Sequence, residues 1–153
     1  MEVVQRLRER FPQAVQEVYE HRGQVTVVVD RGALLEVMRV LRDEWGFGFL
    51  EDLCGVDRSG LDPEGPRFEV VYHLVCMDRR ERLRVKVRVE EADPRVPSVT
   101  PLWATAGFHE RECAEMFGIA FDGHEGLKPL LLWEGFPGHP LRKDFPLRGV
   151  EES

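Results

Sequence analysis

Alternation of apolar and polar residues is clearest in the middle of the chain. Phe68, Val70, Tyr72, Leu74 and Cys76 alternate with Glu69, Val71, His73 and Val75. Leu83, Val85, Val87 and Val89 alternate with Arg82, Arg84, Lys86 and Arg88. A period of two marks strands with one face turned to a core. The short polar link Asp78–Arg80 predicts an antiparallel hairpin, residues 68–77 against 82–89. Upstream, Val4, Leu7 and Phe11 share one face of a helix over residues 2–11, which Pro12 stops. Val25–Val29 is a β-branched strand. Asp30 is placed to cap a helix whose buried stripe is Leu34, Val37, Met38, Leu41 and Trp45, and Gly46 ends it. Phe47–Val56 reads as a returning strand, and Gly60, Pro63, Gly65 and Pro66 mark a loop.

After Asp93-Pro94 the texture changes. Ser98 or Thr100, with Pro101 at the first helical position, starts a helical stretch that runs to Phe117-Gly118 with a break at Gly107. Residues 118–153 are rich in Gly and Pro and show no period, so they read as an extended tail that follows a surface. Trp133, Phe136 and Phe145 in that tail need the domain or a partner to cover them. The fold class is α+β: a small, mainly antiparallel sheet with helices on one side, followed by a helix and an extended C-terminal tail. The expected boundary puts one domain at 1–134 and a partner-binding strap at 135–153.

Length and charge narrow the possibilities. A chain of 153 residues suits one domain. A net charge of −7 argues against a general nucleic-acid binder and gives no attraction to an anionic membrane surface. The basic row Arg82, Arg84, Lys86, Arg88 therefore reads as a solvated or partner-covered sheet face. No apolar run is long enough to cross a bilayer, and Met1–Arg6 has no look of a secretory leader. The three cysteines, Cys54, Cys76 and Cys113, are dispersed, which fits reduced thiols better than a disulfide framework or an iron–sulfur cluster.

Several constellations could carry chemistry. His109 and Cys113 stand four apart around Glu112, the spacing of a helical zinc-hydrolase motif, with His124 or His139 as a further ligand. The simpler reading, ordinary helix residues, is favoured. Glu110, Glu112, Glu115, Asp122 and Glu125 form a carboxylate cluster around Arg111. No nucleophile accompanies it, so a patch that pairs with a basic partner is favoured over acid–base chemistry. Leu141-Arg142-Lys143-Asp144-Phe145 lacks a glycine-rich phosphate loop and reads as a basic anchor between apolar residues.

Residues 110–131 resemble the signature of the respiratory-chain 30-kilodalton subunit family of NADH–quinone oxidoreductases. Glu110, Arg111, Glu112, Glu115, Met116, Phe117, His124, Lys128, Leu130 and Leu131 fill its placed positions. Asp93–Thr100 with Leu102-Trp103, and Gly138–Leu147, look like the same family, and the N-terminal half is similar in layout. The resemblance implies a cofactor-free subunit in the cytosolic arm of a proton-pumping NADH–quinone oxidoreductase. It implies a peripheral position on the cytoplasmic side of the membrane, reached only through the complex, and packing against the large quinone-site subunit. FMN and iron–sulfur clusters would lie on other subunits. No catalytic, cofactor or metal residue is expected in the chain. The expected interface is Glu110, Arg111, Glu112, Glu115, His124, Lys128, Leu141, Arg142, Lys143, Asp144 and Phe145. Two alternatives are an equivalent subunit of an energy-converting membrane-bound hydrogenase and a stand-alone metal-dependent hydrolase.

Overall fold

Val3, Val4 and Leu7 lie on one face of the first helix, α1 (Glu2–Arg10), and all three are buried. This computed structural model describes residues 1–61 and 64–124. The chain then makes β1 (Val15–His21) and β2 (Gln24–Val29), an antiparallel pair joined at Arg22-Gly23. Both link residues have positive φ, 53° and 80°, as a two-residue hairpin turn requires. Asp30 caps the next segment, its carboxylate accepting from the Gly32 N–H at 2.9 Å. What it caps is a single 3-10 turn, Arg31–Ala33, which leads into α2 (Leu34–Asp43). Leu34, Val37, Met38 and Leu41 of the expected stripe are buried, but the helix ends at Asp43, so Trp45 lies beyond it and is half-buried. There follow β3 (Phe49–Asp57), β4 (Phe68–Cys76), β5 (Glu81–Val89), β6 (Arg95–Pro97), α3 (Ala106–Phe117) and β7 (Ala120–Asp122).

Five strands form one sheet in the order β1-β2-β5-β4-β3. Every pairing in it is antiparallel except β2 with β5. The expected hairpin is present, with Val70 opposite Val87 and Tyr72 opposite Val85. Its inward residues, Phe68 to Cys76 and Leu83 to Val89 at alternate positions, join Val27, Val29, Leu50, Leu53 and the helix stripes in one core. The architecture is thus the α+β class expected, a mainly antiparallel mixed sheet with helices on its core face.

Three features depart from the sequence reading. β1 is not among the expected strands: it is an edge strand with an irregularity between Val15 and Glu17, and its apolar residues are only half buried. The helix expected from Ser98 or Thr100 begins instead at Ala106, after turns in which Leu102 and Trp103 each donate to the Val99 carbonyl at 3.0 Å. Gly107 sits inside its first turn rather than breaking it. The extended tail does not begin at residue 118. Ile119 and Phe121 are buried, and β7 pairs parallel with β6, Val96 opposite Phe121. Neither three-residue strand is long enough to show a period. The boundary at residue 134 and the strap from 135 fall outside the described residues.

The outer face of the sheet is laced with ion pairs. Glu69, 4% exposed, is approached by Lys86 at 3.3 Å, Arg88 at 3.4 Å and Arg58 at 3.9 Å. Arg88 also reaches Glu17 at 2.8 Å, Arg82 reaches Glu51 at 2.8 Å, and Arg84 donates to Gln24. The basic row is therefore largely neutralised by the chain itself, which is the opposite of a phosphate-binding stripe.

Parity decides which side of β5 tolerates charge. Val87→Asp should unfold the domain, with a loss above about 3 kcal/mol, because the carboxylate would be buried without a partner. Arg82→Asp, on the exposed side, should cost less than about 1 kcal/mol. Chemical denaturation of the two variants checks the pair, and equal losses would show that the outer face is packed as tightly as the inner one.

Candidate functional site

The candidate site is built on α3, whose two sides have separate tasks. Its inward residues are Ala106, Glu110, Cys113, Met116 and Phe117. It lies close to β3 because residue 55 is glycine: a Cβ there would stand 2.7 Å from the Phe117 ring and 3.0 Å from Cys113 Sγ. Phe117 in turn packs edge-on to Phe68, ring centroids 6.3 Å apart. The helix ends where expected, with Gly118 left-handed at φ 77° and its N–H bonded to the Ala114 carbonyl at 2.8 Å.

Glu110 is the inward residue that the sequence reading places at a partner surface. It is wholly buried. One carboxylate oxygen accepts from Ser98 Oγ at 2.7 Å and the other from the Val99 N–H at 2.7 Å. Its oxygens are committed inside the chain, where they hold the turn that follows β6. Burial raises its pKa above the ordinary carboxylate value, and the bonds from Ser98 and Val99 only partly offset this. His124, with a side chain 5% exposed, has Nε2 4.0 Å from Glu110 Oε1 and 3.1 Å from the Gly107 carbonyl. It joins the end of the described chain to the first turn of α3.

The other expected interface residues lie elsewhere. Arg111, Glu112 and Glu115 are half-buried on α3. Glu112 makes no hydrogen bond or ion pair among the described residues. Asp122 of the carboxylate cluster pairs with Arg95 at 2.8 Å. Lys128, Leu141, Arg142, Lys143, Asp144 and Phe145 lie outside the described residues, as do Glu125 and His139. Phe108, 56% exposed, adds an aromatic ring to the open side of the helix.

The zinc-hydrolase spacing does not assemble a site. Cys113 is buried against Gly55, and burial pushes its thiol far above the ordinary value, with Cys54 the next contributor. His109 turns instead toward Asp52, Nδ1 to Oδ1 3.7 Å. A different cluster stands beside it, which the sequence reading misses. One ligand atom each from Asp52, Cys54 and His73 lies within 4.8 Å of the other two. Burial, then the nearby Asp52 carboxylate, raise the Cys54 thiol. Burial, then Arg84, hold His73 below its ordinary value, so its imidazole is neutral at pH 7. Strand alternation puts Asp52 and Cys54 on one face, but only the pairing of β3 with β4 brings His73 to them.

Comparison with known proteins identifies the family. The model of the respiratory-chain NADH dehydrogenase 30-kilodalton subunit matches residues 27–151. The chain belongs to that family. It is 50% identical to an NADH-quinone oxidoreductase subunit of Roseiflexus sp. (strain RS-1), across 98% of this chain and 85% of that one. It is 46% identical to the like-named protein of Citrifermentans bemidjiense, across 98% and 91%. Among solved structures it resembles a trypsin-resistant fragment (1-134) of Nqo5, with a TM-score of 0.71 and 38% identity, covering 81% of this chain and 98% of that one. It also resembles a chain of the membrane-bound sulfane sulfur reductase, an archaeal respiratory membrane complex, with a TM-score of 0.76 and 27% identity over 95% and 85%. The 30-kilodalton subunit family binds no cofactor of its own, and the cofactors of complex I are carried by other subunits. Among the described residues no helix is long and apolar enough to cross a membrane.

Glu110→Ala should destabilise the chain by about 2–4 kcal/mol at pH 7, since Ser98 Oγ and the Val99 N–H would both lose their buried acceptor. Denaturant melts measure it directly. The pH dependence has a definite sign. A carboxyl whose pKa is raised on folding holds its proton more tightly in the folded state, so its contribution is lost as pH rises through the raised value. The stability of the wild type relative to Glu110→Gln should therefore fall as pH rises above the ordinary carboxylate range of about 4. A difference that grew with pH would mean that the bonds from Ser98 and Val99 outweigh burial.

Proposed function

We propose that this chain is a docking subunit of the peripheral arm of a proton-pumping NADH–quinone oxidoreductase. In this reading it packs against the large quinone-site subunit on the cytoplasmic side of the membrane and supports electron transfer from NADH to quinone without performing it. Family membership carries the reading, together with one observation of the site. The family motif divides into residues spent inside, Glu110, Met116 and Phe117, and residues left half-open, Arg111, Glu112 and Glu115. Side chains that hold the helix to its own sheet cannot also hold a partner. The half-open charges and the exposed Phe108 ring supply register and an apolar anchor for one. His124, held inside against Gly107, is no part of this surface; the proposed interface continues through Lys128 to the strap at 135–153, where Leu141, Arg142, Lys143, Asp144 and Phe145 set a charged run between apolar ends. Three prolines there, Pro137, Pro140 and Pro146, favour an extended path and reduce the entropy lost on docking.

A second reading keeps the docking role but places it in another energy-converting membrane complex of the hydrogenase type. The likeness to the sulfane sulfur reductase chain supports it. Neighbouring genes separate the two: subunits for NADH oxidation in one case, a nickel–iron large subunit in the other.

Glu112→Lys should leave the melting temperature within about 2 °C of wild type, because a partly exposed charge contributes little to a lone domain. It should weaken co-purification with the large subunit by more than about tenfold. Deleting residues 135–153 should spare the fold and abolish assembly. A deletion variant that entered the complex with unchanged affinity would refute the strap and confine the interface to α3.

A further inference from the structure

We infer that Asp52, Cys54 and His73 form a binding site for one divalent ion of the zinc type on the outer face of the sheet. The donor set is the first reason. A thiolate, an imidazole nitrogen and a carboxylate oxygen are the three protein ligands that zinc takes, and the hard cations calcium and magnesium do not take thiolate. Their ligand atoms already lie within 4.8 Å of one another. Tetrahedral coordination needs neighbouring ligands about 3.3–3.6 Å apart, so side-chain rotation of roughly an ångström closes the set. The fourth position of the tetrahedron is left to water, while His109 Nδ1, 3.7 Å from Asp52 Oδ1, is placed to hydrogen-bond that ligating carboxylate.

The backbone supplies an independent reason. β3 and β4 pair without interruption except at one place: Leu50 faces Leu74, and the next pair is Asp52 with His73. Glu51 is an extra residue in β3, a bulge. Without it Glu51 would face His73, and Asp52 would be directed toward the core side opposite Tyr72. The bulge re-aims Asp52 onto the face that carries Cys54 and His73. A local distortion thus places a carboxylate beside a thiol and an imidazole.

Electrostatics allow the ion. Arg84 and Lys86 both act on Cys54 and His73, and two cations oppose a third. A thiolate and a carboxylate, however, balance a divalent ion fully. Cys54 loses its proton to solvent as the metal–sulfur bond forms, and the neutral His73 needs to lose none. The ion is not redox-active and carries no electron. It clamps β3, through Asp52 and Cys54, to β4, through His73.

The test uses the full chain, freed of metal with a chelator and titrated with Co²⁺ as a spectroscopic stand-in. One equivalent should bind, with the near-ultraviolet band of a thiolate–cobalt bond and intense visible bands of a four-coordinate ion, and Zn²⁺ should displace it. Cys54→Ser should abolish the thiolate band while Cys113→Ala retains it. His73→Gln, which leaves the thiol in place, should weaken binding by more than about tenfold. Circular dichroism checks that each variant is folded. No binding at one equivalent, or binding undisturbed by both Cys54→Ser and His73→Gln, would overturn the site. Neither result bears on docking, which is read by co-purification.

Discussion

A carboxylate with no exposure to water holds the second half of this molecule in place. Burying Glu110 opposes its ionised form, and only the donors Ser98 Oγ and Val99 N–H make the position tolerable. Both donors belong to one turn, so satisfying the charge also fixes where the chain goes after β6. That turn sets β6 beside β7, and β7 delivers His124 to the Gly107 carbonyl at the start of α3. The loop from 97 to 105 has no regular structure of its own, apart from Pro97 at the end of β6, and would have little reason to hold one path without an internal acceptor.

The same helix is pinned from a second direction by shape. Gly55 lets α3 approach β3 until Phe117 and Cys113 touch its backbone. Charge fixes α3 along its N-terminal part and close packing fixes it along the C-terminal part. The two constraints are of different kinds, one directional and sensitive to protonation, the other steric. Together they hold the helix against rotation about its axis, so the identity of the side chains on its open side is determined. Arg111, Glu112 and Glu115 are consequences of that rotation as much as of their own chemistry.

Much of this is legible in the sequence, for a physical reason in each case. β4 is buried on both faces and is legible from its run of β-branched and aromatic residues and its short link to β5, whereas β5 is legible because it buries one face against a large core, so period two survives along its length. α2 is legible for the same reason at period 3.6, and Gly118 because a left-handed residue marks a helix end. β1 escapes because an edge strand buries little, and its hairpin turn is Arg-Gly rather than a residue pair typical of such turns. β6 and β7 escape because three residues carry no period. Glu110 is misplaced because a charged residue in a charged motif reads as surface, and only the positions of Ser98 and Val99 show otherwise. The Asp52–Cys54–His73 cluster needs both a register and a bulge, and neither is written in local composition.

The outer sheet face and α3 answer the question of partner recognition differently. On the sheet, Glu69 gathers Lys86, Arg88 and Arg58, while Arg82 and Arg88 reach Glu51 and Glu17. A partner docking there would have to replace internal pairs with its own, gaining little for the desolvation. On α3, Glu112 has no pair to surrender among the described residues, and Phe108 offers apolar area already in water. A charge that must be desolvated on docking is best matched by a partner when nothing in its own chain competes for it. For the docking role proposed above, that criterion favours α3 over the self-paired sheet face among the described residues. A net charge of −7 on the chain points the same way, since a basic partner surface gains from the whole field as well as from the individual pairs.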